Sequence, residues 1–226
     1  MKSLAEKVVL ITGSSQGIGR ETAYLFAKAK AKIVITYCQN EKKAETTVKK
    51  CKQLGSPEVF AVRLDVTDSK TMEAAIAEVA KRFGKIEILI NNAGVIAWGK
   101  LPEQSFAEID QQINTNLAGL IKMTKLSLPF LQETIINISS RSGQRGYPDL
   151  TTYCATKFGV RGFTKALACE TKLKVFSVNP PLTKTQMSDY QGMPAELVAE
   201  VILDTAKRSQ ELESGADIAV AKPEEK

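Results

Sequence analysis

Apolar residues in this chain gather into short runs: VVLIT (8–12), KIVITY (32–37), VFAVRLD (59–65), IEILINN (86–92), TIINIS (134–139), KVFSVN (174–179) and ADIAVA (216–221). Most are continuous rather than alternating, the pattern of strands buried on both faces in a parallel sheet. Between them the period changes. Ile18, Thr22, Leu25, Phe26 and Ala29 fall on one face of a first helix, and SKTMEAAIAEVAKRFG is helical up to Gly84, a residue suited to a C-terminal cap. Ser105 and Glu108 form a capping-box pair that opens a long helix toward Leu131. Pro194 stands where the first turn of the last helix should be. Strand–helix alternation of this kind predicts a doubly wound α/β domain, about seven-stranded and mostly parallel, with helices on both faces and right-handed crossovers.

Composition narrows this without changing it. At 226 residues, with no linker, repeat or low-complexity stretch, the chain reads as a single domain over 1–226, and only the tail KPEEK is expected to be disordered. Hydrophobic content of 43% and charged content of 25% are ordinary for a soluble globular protein. No apolar run approaches the roughly 18 residues of a membrane helix. The opening MKSLAEKVVLITG leads into a Gly-rich turn rather than a small-residue cleavage site, which argues against a signal peptide. Four cysteines without a C-x-x-C pair, in a chain with no histidine, argue against a metal site or a disulfide framework. Reduced thiols in a cytoplasmic protein are expected. The net charge of +6 raises nucleic acid as a partner. However, the lysines alternate with acids, as in EKKAETTVKKCK, where Glu45 and Lys49 make an i, i+4 pair. No aromatics interleave with the basic residues. The expectation is a solvated helix face, no nucleic acid and no membrane, with a residual positive field available to an anionic cofactor or substrate.

Candidate chemistry gathers at two places. The first strand runs directly into TGSSQGIGR, with glycines at 13, 17 and 19 ahead of a helix. Gly13 suits the tight turn, Gly17 a close approach of backbone to a pyrophosphate, and Gly19 the packing of helix on strand. The helix N-terminus then offers free N–H groups to phosphates. The spacing is not the commoner G-x-G-x-x-G, and the lysine of a Walker loop is missing. Farther on, Tyr153 and Lys157 lie one helical turn apart and share a face. A phenol's ordinary pKa of about 10 is high for proton transfer at neutral pH, and a nearby ammonium favours the phenolate. Lowered in this way, Tyr153 could pass a proton to or from a substrate oxygen.

These segments together resemble the short-chain dehydrogenase/reductase family. TGSSQGIG is similar to the family's T-G-x-x-x-G-x-G, NNAG at 91–94 to the motif after its fourth strand, and Asp65–Val66 to the pair that contacts adenine. ISS at 138–140, YCATK at 153–157 and INTNLAG at 113–119 are similar to its active-site segments, in order along nearly the whole chain. The resemblance implies a Rossmann domain with the active site at about 135–195. It implies a nicotinamide dinucleotide held by Gly13, Ser14, Ser15, Gln16, Gly17, Ile18, Gly19, Tyr37, Asp65, Val66, Asn92, Ala93, Gly94, Tyr153, Lys157, Pro180 and Thr185. It also implies Tyr153 as acid/base, Lys157 lowering its pKa and holding the ribose, and Ser140 orienting the substrate oxygen. Asn116 would hold a water that relays protons to the lysine. Counting back from Tyr153 selects Ser140 over Ser139, and motif alignment selects Asn116 over Asn114.

Departures from the family's pattern bear on cofactor and substrate. Tyr37 stands where NAD-preferring relatives place an acid on the ribose 2′-OH, so NADP(H) is favoured over NAD(H). The arginine of many NADP users is replaced by Gln39, leaving Lys42, Lys43 or Arg20 as substitutes. Pro181 occupies the usual glycine of P-G, with Thr185 at the nicotinamide-contacting position and Thr183 as its rival. Only eight residues separate Thr185 from Pro194, a short lid that suits a bulky or carrier-borne carbonyl, or a site finished by another subunit. SGADIAVAKP lacks the D-G-G that often joins a subunit interface, so a homodimer and a homotetramer both stay open. Trp98 is a candidate pocket wall or a packing residue. The expected reaction is hydride exchange between NADP(H) and a carbonyl or secondary alcohol, in the manner of 3-oxoacyl-acyl-carrier-protein reductases. A non-catalytic dinucleotide sensor or scaffold is the alternative, and it would be expected to lose one of the four polar residues, all of which are present.

Overall fold

The computed structural model describes residues 1–221, and the KPEEK tail lies outside the described residues. Strands and helices alternate as β1 (Val8–Ile11), α1 (Gly17–Lys28), β2 (Lys32–Tyr37), α2 (Glu41–Gln53), β3 (Val59–Arg63), α3 (Ser69–Phe83) and β4 (Ile86–Asn91). They continue as α4 (Phe106–Ile113), α5 (Leu120–Ser127), β5 (Leu131–Ile138), α6 (Thr151–Glu170), β6 (Lys174–Asn179), α7 (Ala195–Lys207) and β7 (Asp217–Ala219). All described strand pairings are parallel, and the sheet order is β3-β2-β1-β4-β5-β6-β7. The order reverses between β1 and β4, which opens a crevice at their carboxyl ends.

The continuous apolar runs are explained by two cores. Val9 and Ile11 of β1 pack with Phe26 of α1 and Val198 and Ile202 of α7 on one face of the sheet. Leu10 points to the other, among Met72, Ile76 and Val79 of α3, Met123 of α5 and Leu167 of α6. Neither face meets water, so neither needs polar residues at alternate positions.

The helix expected from Ser105 toward Leu131 is not continuous. The capping box is present, with Ser105 Oγ accepting from Glu108 N at 3.2 Å and Glu108 Oε2 accepting from Ser105 N at 2.8 Å. After α4, however, Asn114–Gly119 is π-helical, α5 follows, and a 3₁₀ turn at Leu128–Phe130 delivers the chain into β5. The π segment brings both Asn116 and Gly119 inward. A Cβ at Gly119 would lie 2.6 Å from Val66 O, so only glycine allows this approach. Pro129 has no N–H to continue the α-helical ladder. β5 therefore begins at Leu131, earlier than the run TIINIS indicates. Gly84 caps α3 as expected, with its N–H reaching Ala80 O at 2.8 Å. Pro194 is the cap residue just before α7 rather than part of its first turn. β7 is shorter than ADIAVA.

Candidate active site

The turn after β1 is shaped by side-chain hydroxyls. Gly13 N donates to Thr36 Oγ1 at 2.9 Å, and Ser14 Oγ donates to Ile11 O at 2.8 Å while accepting from Thr36 N at 2.9 Å. Gly13 and Gly17 have φ of +62° and +58°, left-handed values that favour glycine at both positions. No side chain caps α1 and no acid lies in its first turn, so its N-terminal N–H groups stay open toward an anion. Gly19 acts differently from the expected helix–strand contact. A Cβ there would fall 2.7 Å from Gly13 O and 2.6 Å from Asn92 Nδ2, so it is the loop itself that presses on α1. Gly19→Ala is therefore expected to displace the loop at a cost of about 1–3 kcal/mol. Fluorescence titration should read this as a loss of about tenfold or more in dinucleotide affinity. Unchanged affinity would show that the loop can yield.

β4 is stitched to this turn. Asn92 Nδ2 donates to Thr12 O at 2.9 Å and Gly13 O at 3.1 Å, and the amides of Asn92 and Ala93 both donate to Thr12 Oγ1 at 2.9 Å. Sequence reading missed Thr12 and Thr36. Their signal is a threonine at the carboxyl end of each of two neighbouring strands, in VVLIT and KIVITY.

A cleft of about 2220 Å³ runs from the Gly-rich turn to α6. That exceeds the roughly 300–1,000 Å³ of a single small-molecule pocket and leaves room for a dinucleotide and a second ligand together. Gly13, Ser15, Gln16, Gly17, Ile18, Tyr37, Asp65, Val66, Asn92, Ala93, Gly94, Ser140, Tyr153, Lys157, Pro180 and Thr185 line it. The structure does not bring Ser14, Gly19 or Asn116 to its surface. Ser14 is fully buried with its hydroxyl spent on backbone, and Gly19 lies behind the loop.

At the far end of the cleft, Tyr37 donates its hydroxyl to Glu41 Oε1 at 2.9 Å. Arg20 is held by Glu21 at 2.6 Å, whereas Lys43 Nζ donates to Gln16 Oε1 at 2.7 Å and so reaches the phosphate turn. Burial works against the charge of Asp65. Hydrogen bonds from Thr67 and Cys38 outweigh it and hold this carboxyl below its ordinary range.

At the reacting end the two serines separate. Ser139 is buried and donates to Lys157 O at 2.9 Å, while Ser140 faces the cleft. Ser140 Oγ accepts from Ser142 N at 3.0 Å, which leaves its own proton to donate outward. Arg141 N donates to Pro180 O at 2.9 Å and ties this turn to the end of β6. Tyr153 and Lys157 are nearly sealed, at 9% and 5% exposure. Burial pushes the Tyr153 phenol up to about 12, only partly opposed by the Ser140 hydroxyl. Burial, rather than the neighbouring ammonium, dominates this phenol's pKa. Lys157 Nζ lies 5.5 Å from the Tyr153 ring centroid and donates to Ile138 O at 3.0 Å. The lysine is itself pushed down to about 8 by burial.

Asn116 is the buried member of its pair, and Asn114 is exposed. Its amide is committed: Nδ2 donates to Val95 O at 2.8 Å and Thr156 Oγ1 at 3.3 Å, and Oδ1 accepts from Val95 N at 2.8 Å. Oδ1 keeps a second lone pair to which a water can donate, and the bonds to Val95 clamp the backbone beside Gly94.

Thr185 abuts the phosphate turn, its Cγ2 3.3 Å from where a Gly17 Cβ would sit. Thr183 is buried and donates to Pro181 O at 2.8 Å. Met193 N donates to Leu182 O at 2.8 Å and Lys184 N to Met193 O at 2.7 Å, closing the short segment on itself. Leu182, Met187 and Tyr190 stay exposed at the cleft, as does Trp98. Trp98 is thus a rim residue rather than a packing one.

Residues 7–194 match the family described as short chain dehydrogenase. A 3-oxoacyl-[acyl-carrier-protein] reductase of Staphylococcus aureus is 35% identical over 190 residues, spanning 81% of this chain and 77% of the relative. An NADP-dependent 3-hydroxy acid dehydrogenase of Schizosaccharomyces pombe is 33% identical over 197 residues, 83% of this chain and 76% of that one. Among solved structures, a short chain dehydrogenase from Burkholderia cenocepacia in complex with NADP superposes with a TM-score of 0.90 at 27% identity, covering 97% of this chain and 98% of that chain. The chain belongs to the short-chain dehydrogenase/reductase family, enzymes that interconvert CH–OH and C=O groups. Among the described residues, no helix is long and apolar enough to cross a membrane.

Proposed function

We propose that this chain is a cytoplasmic NADP(H)-dependent reductase of 3-oxoacyl or related carbonyl groups, small or carrier-borne, folded as a single domain. One observation carries the reading: Ser140, Tyr153 and Lys157 converge on one cleft with the open N-terminus of α1 at its other end. A dinucleotide fits the residues present, because the N-terminus of α1 is uncapped with no acid in its first turn and Lys43 reaches the same turn. Gly13, Ser15 to Ile18, Asn92 to Gly94, Lys157, Pro180 and Thr185 would hold it, with Tyr37, Asp65 and Val66 at the adenosine end. When bound, it supplies or accepts the hydride.

The chain's own residues handle the oxygen and its proton. Ser140 donates to the substrate oxygen. Tyr153, kept as a phenol by burial, is poised as the acid that protonates an oxygen gaining charge during carbonyl reduction. Lys157, near its own midpoint at neutral to mildly basic pH, can return that proton to the phenolate. Asn116 supports the relay by fixing Val95 and the chain next to Lys157. The apolar rim of Trp98, Leu182, Met187 and Tyr190 supports an acyl substrate. Exposed Phe106, Ile113, Ile121 and Phe158 on the helices behind the site support a homo-oligomer.

The test is a panel of 3-oxoacyl thioesters, ketones and secondary alcohols followed by nicotinamide absorbance. Turnover of none of them, with cofactor still bound, would favour the sensor reading. For cofactor choice, Trp98 is the lone tryptophan and lies at the cleft, so its fluorescence reports binding. NADPH is expected to bind more tightly than NADH. Lys43→Glu should weaken NADPH about tenfold and leave NADH nearly unchanged. Equal loss for both cofactors would remove Lys43 from 2′-phosphate recognition.

A further inference from the structure

Tyr153, Lys157, Arg161 and Lys165 recur every fourth residue along α6. Each such step rotates only about 40°, so the four form one row. The first two face the cleft. Arg161, one turn farther on, has its side chain 20% exposed, and its guanidinium forks in two directions. Nε and Nη2 donate to the two carboxylate oxygens of Asp217 at 2.9 and 2.6 Å, and Nη1 donates to Gly143 O. Asp217 opens β7 and also accepts from the hydroxyl of Ser177, its register partner on β6, with Lys165 Nζ at 3.3 Å. Hydrogen bonds from Arg161 hold its carboxyl far below the ordinary range.

Gly143 ends the 3₁₀ turn Arg141–Gly143 that Ser140 caps. The turn is wedged against α6. A Cβ at Gly143 would lie 2.6 Å from both Lys157 O and Ser139 Oγ. Its start is fixed by Arg141 N on Pro180 O, and its end by Arg161. A tie between α6 and β7 alone would need only the Asp217 half of the fork. The third N–H carries that anchor to the turn from which the Ser140 hydroxyl projects, and a planar guanidinium locked on both carboxylate oxygens has little freedom to leave it.

We propose that Arg161, braced by Asp217, is a positioning residue that holds the Ser140–Gly143 turn and so aims the Ser140 hydroxyl at the substrate oxygen. This rests on the oxidoreductase reading above. Arg161→Ala is expected to lower kcat by roughly tenfold to a hundredfold, the scale of a misplacement of about 1 Å. NADPH affinity should hold within about twofold, because the phosphate turn is untouched. In a Ser140→Ala background the same change should cost less than about twofold, since nothing is left to aim. Additive losses, or an unchanged kcat in the single variant, would overturn the proposal. Asp217→Asn keeps the volume and replaces the charge, so it serves if Arg161→Ala does not fold, and Arg161→Lys should recover part of the loss.

Amide hydrogen exchange supplies a readout independent of substrate. Residues 141–144 should exchange faster in Arg161→Ala and Asp217→Asn while residues 12–19 keep their protection. Unchanged protection at 141–144 overturns the proposal. If Ser140→Ala leaves turnover intact, the assigned role of Ser140 falls, and the exchange result still decides whether Arg161 holds the turn.

Discussion

Tyr153→Phe is expected to bind NADPH normally and to lower turnover by roughly a thousandfold, within the range of a lost general acid. The ring is packed with Leu150 and Cys154 and against Ile96 and Tyr147, contacts that phenylalanine keeps. Only the hydroxyl goes, and with it the proton donor beside Ser140. Because burial holds that phenol at about 12, it is protonated throughout the neutral range. The loss should therefore be nearly independent of pH between about 6 and 8. Steady-state kcat and a fluorescence titration on the same preparation separate chemistry from binding. Turnover that survives the change would remove Tyr153 from the reaction.

Lys157→Met should produce opposite effects on activity and stability. Turnover falls because the ammonium that restores the phenol is gone. Stability at pH 7 rises, because the native lysine is almost fully buried with one hydrogen bond, to Ile138 O. Its displacement from 10.5 to about 8 corresponds to a cost of about 3 kcal/mol while the group is charged. About 1 kcal/mol of that gain is lost again where the Ile138 carbonyl forfeits its donor. Below about pH 8 the lysine is protonated in both folded and unfolded chains and the cost is complete. From about 8 to 10.5 the unfolded chain keeps a proton that the folded chain has released, so the native protein gains stability as pH rises. The advantage of the methionine variant should thus be largest at pH 7 and shrink by pH 10. Urea denaturation at the two pH values measures it, and a variant less stable than the native protein at pH 7 would contradict the burial argument.

The inner strands were legible because they are buried on both faces, which leaves an apolar run that little else produces at that length. The π-helical turn at Asn114–Gly119 was not, since it differs from an α-helix by hydrogen-bond spacing rather than by residue type. Within the site, the identities of Ser140 and Asn116 could be read by counting, but the job of Asn116 could not. Its partner is the backbone of Val95, and every residue but proline carries the same N–H and C=O. Spacing showed that Tyr153 and Lys157 share a face, but not how deeply both would be buried. Arg161 and Asp217 are 56 residues apart, and neither stands out until the fold joins them.

The stitching of Asn92 to Thr12 and Gly13 bears on how the protein is made. Those partners are 79 and 80 residues apart, and β1 pairs with β4 only after the chain has passed through two other strands. Closing such long loops is slow, and parallel strands have no hairpin to nucleate them. A nascent chain that has emerged only as far as α3 holds the whole TGSSQGIG segment and its Thr36 partner, but not the Asn92 bonds that tie the turn to β4. Cofactor therefore cannot template the earliest stage of folding. It becomes a stabilising ligand only once the middle of the sheet has formed, and until then the growing chain depends on its apolar strands alone.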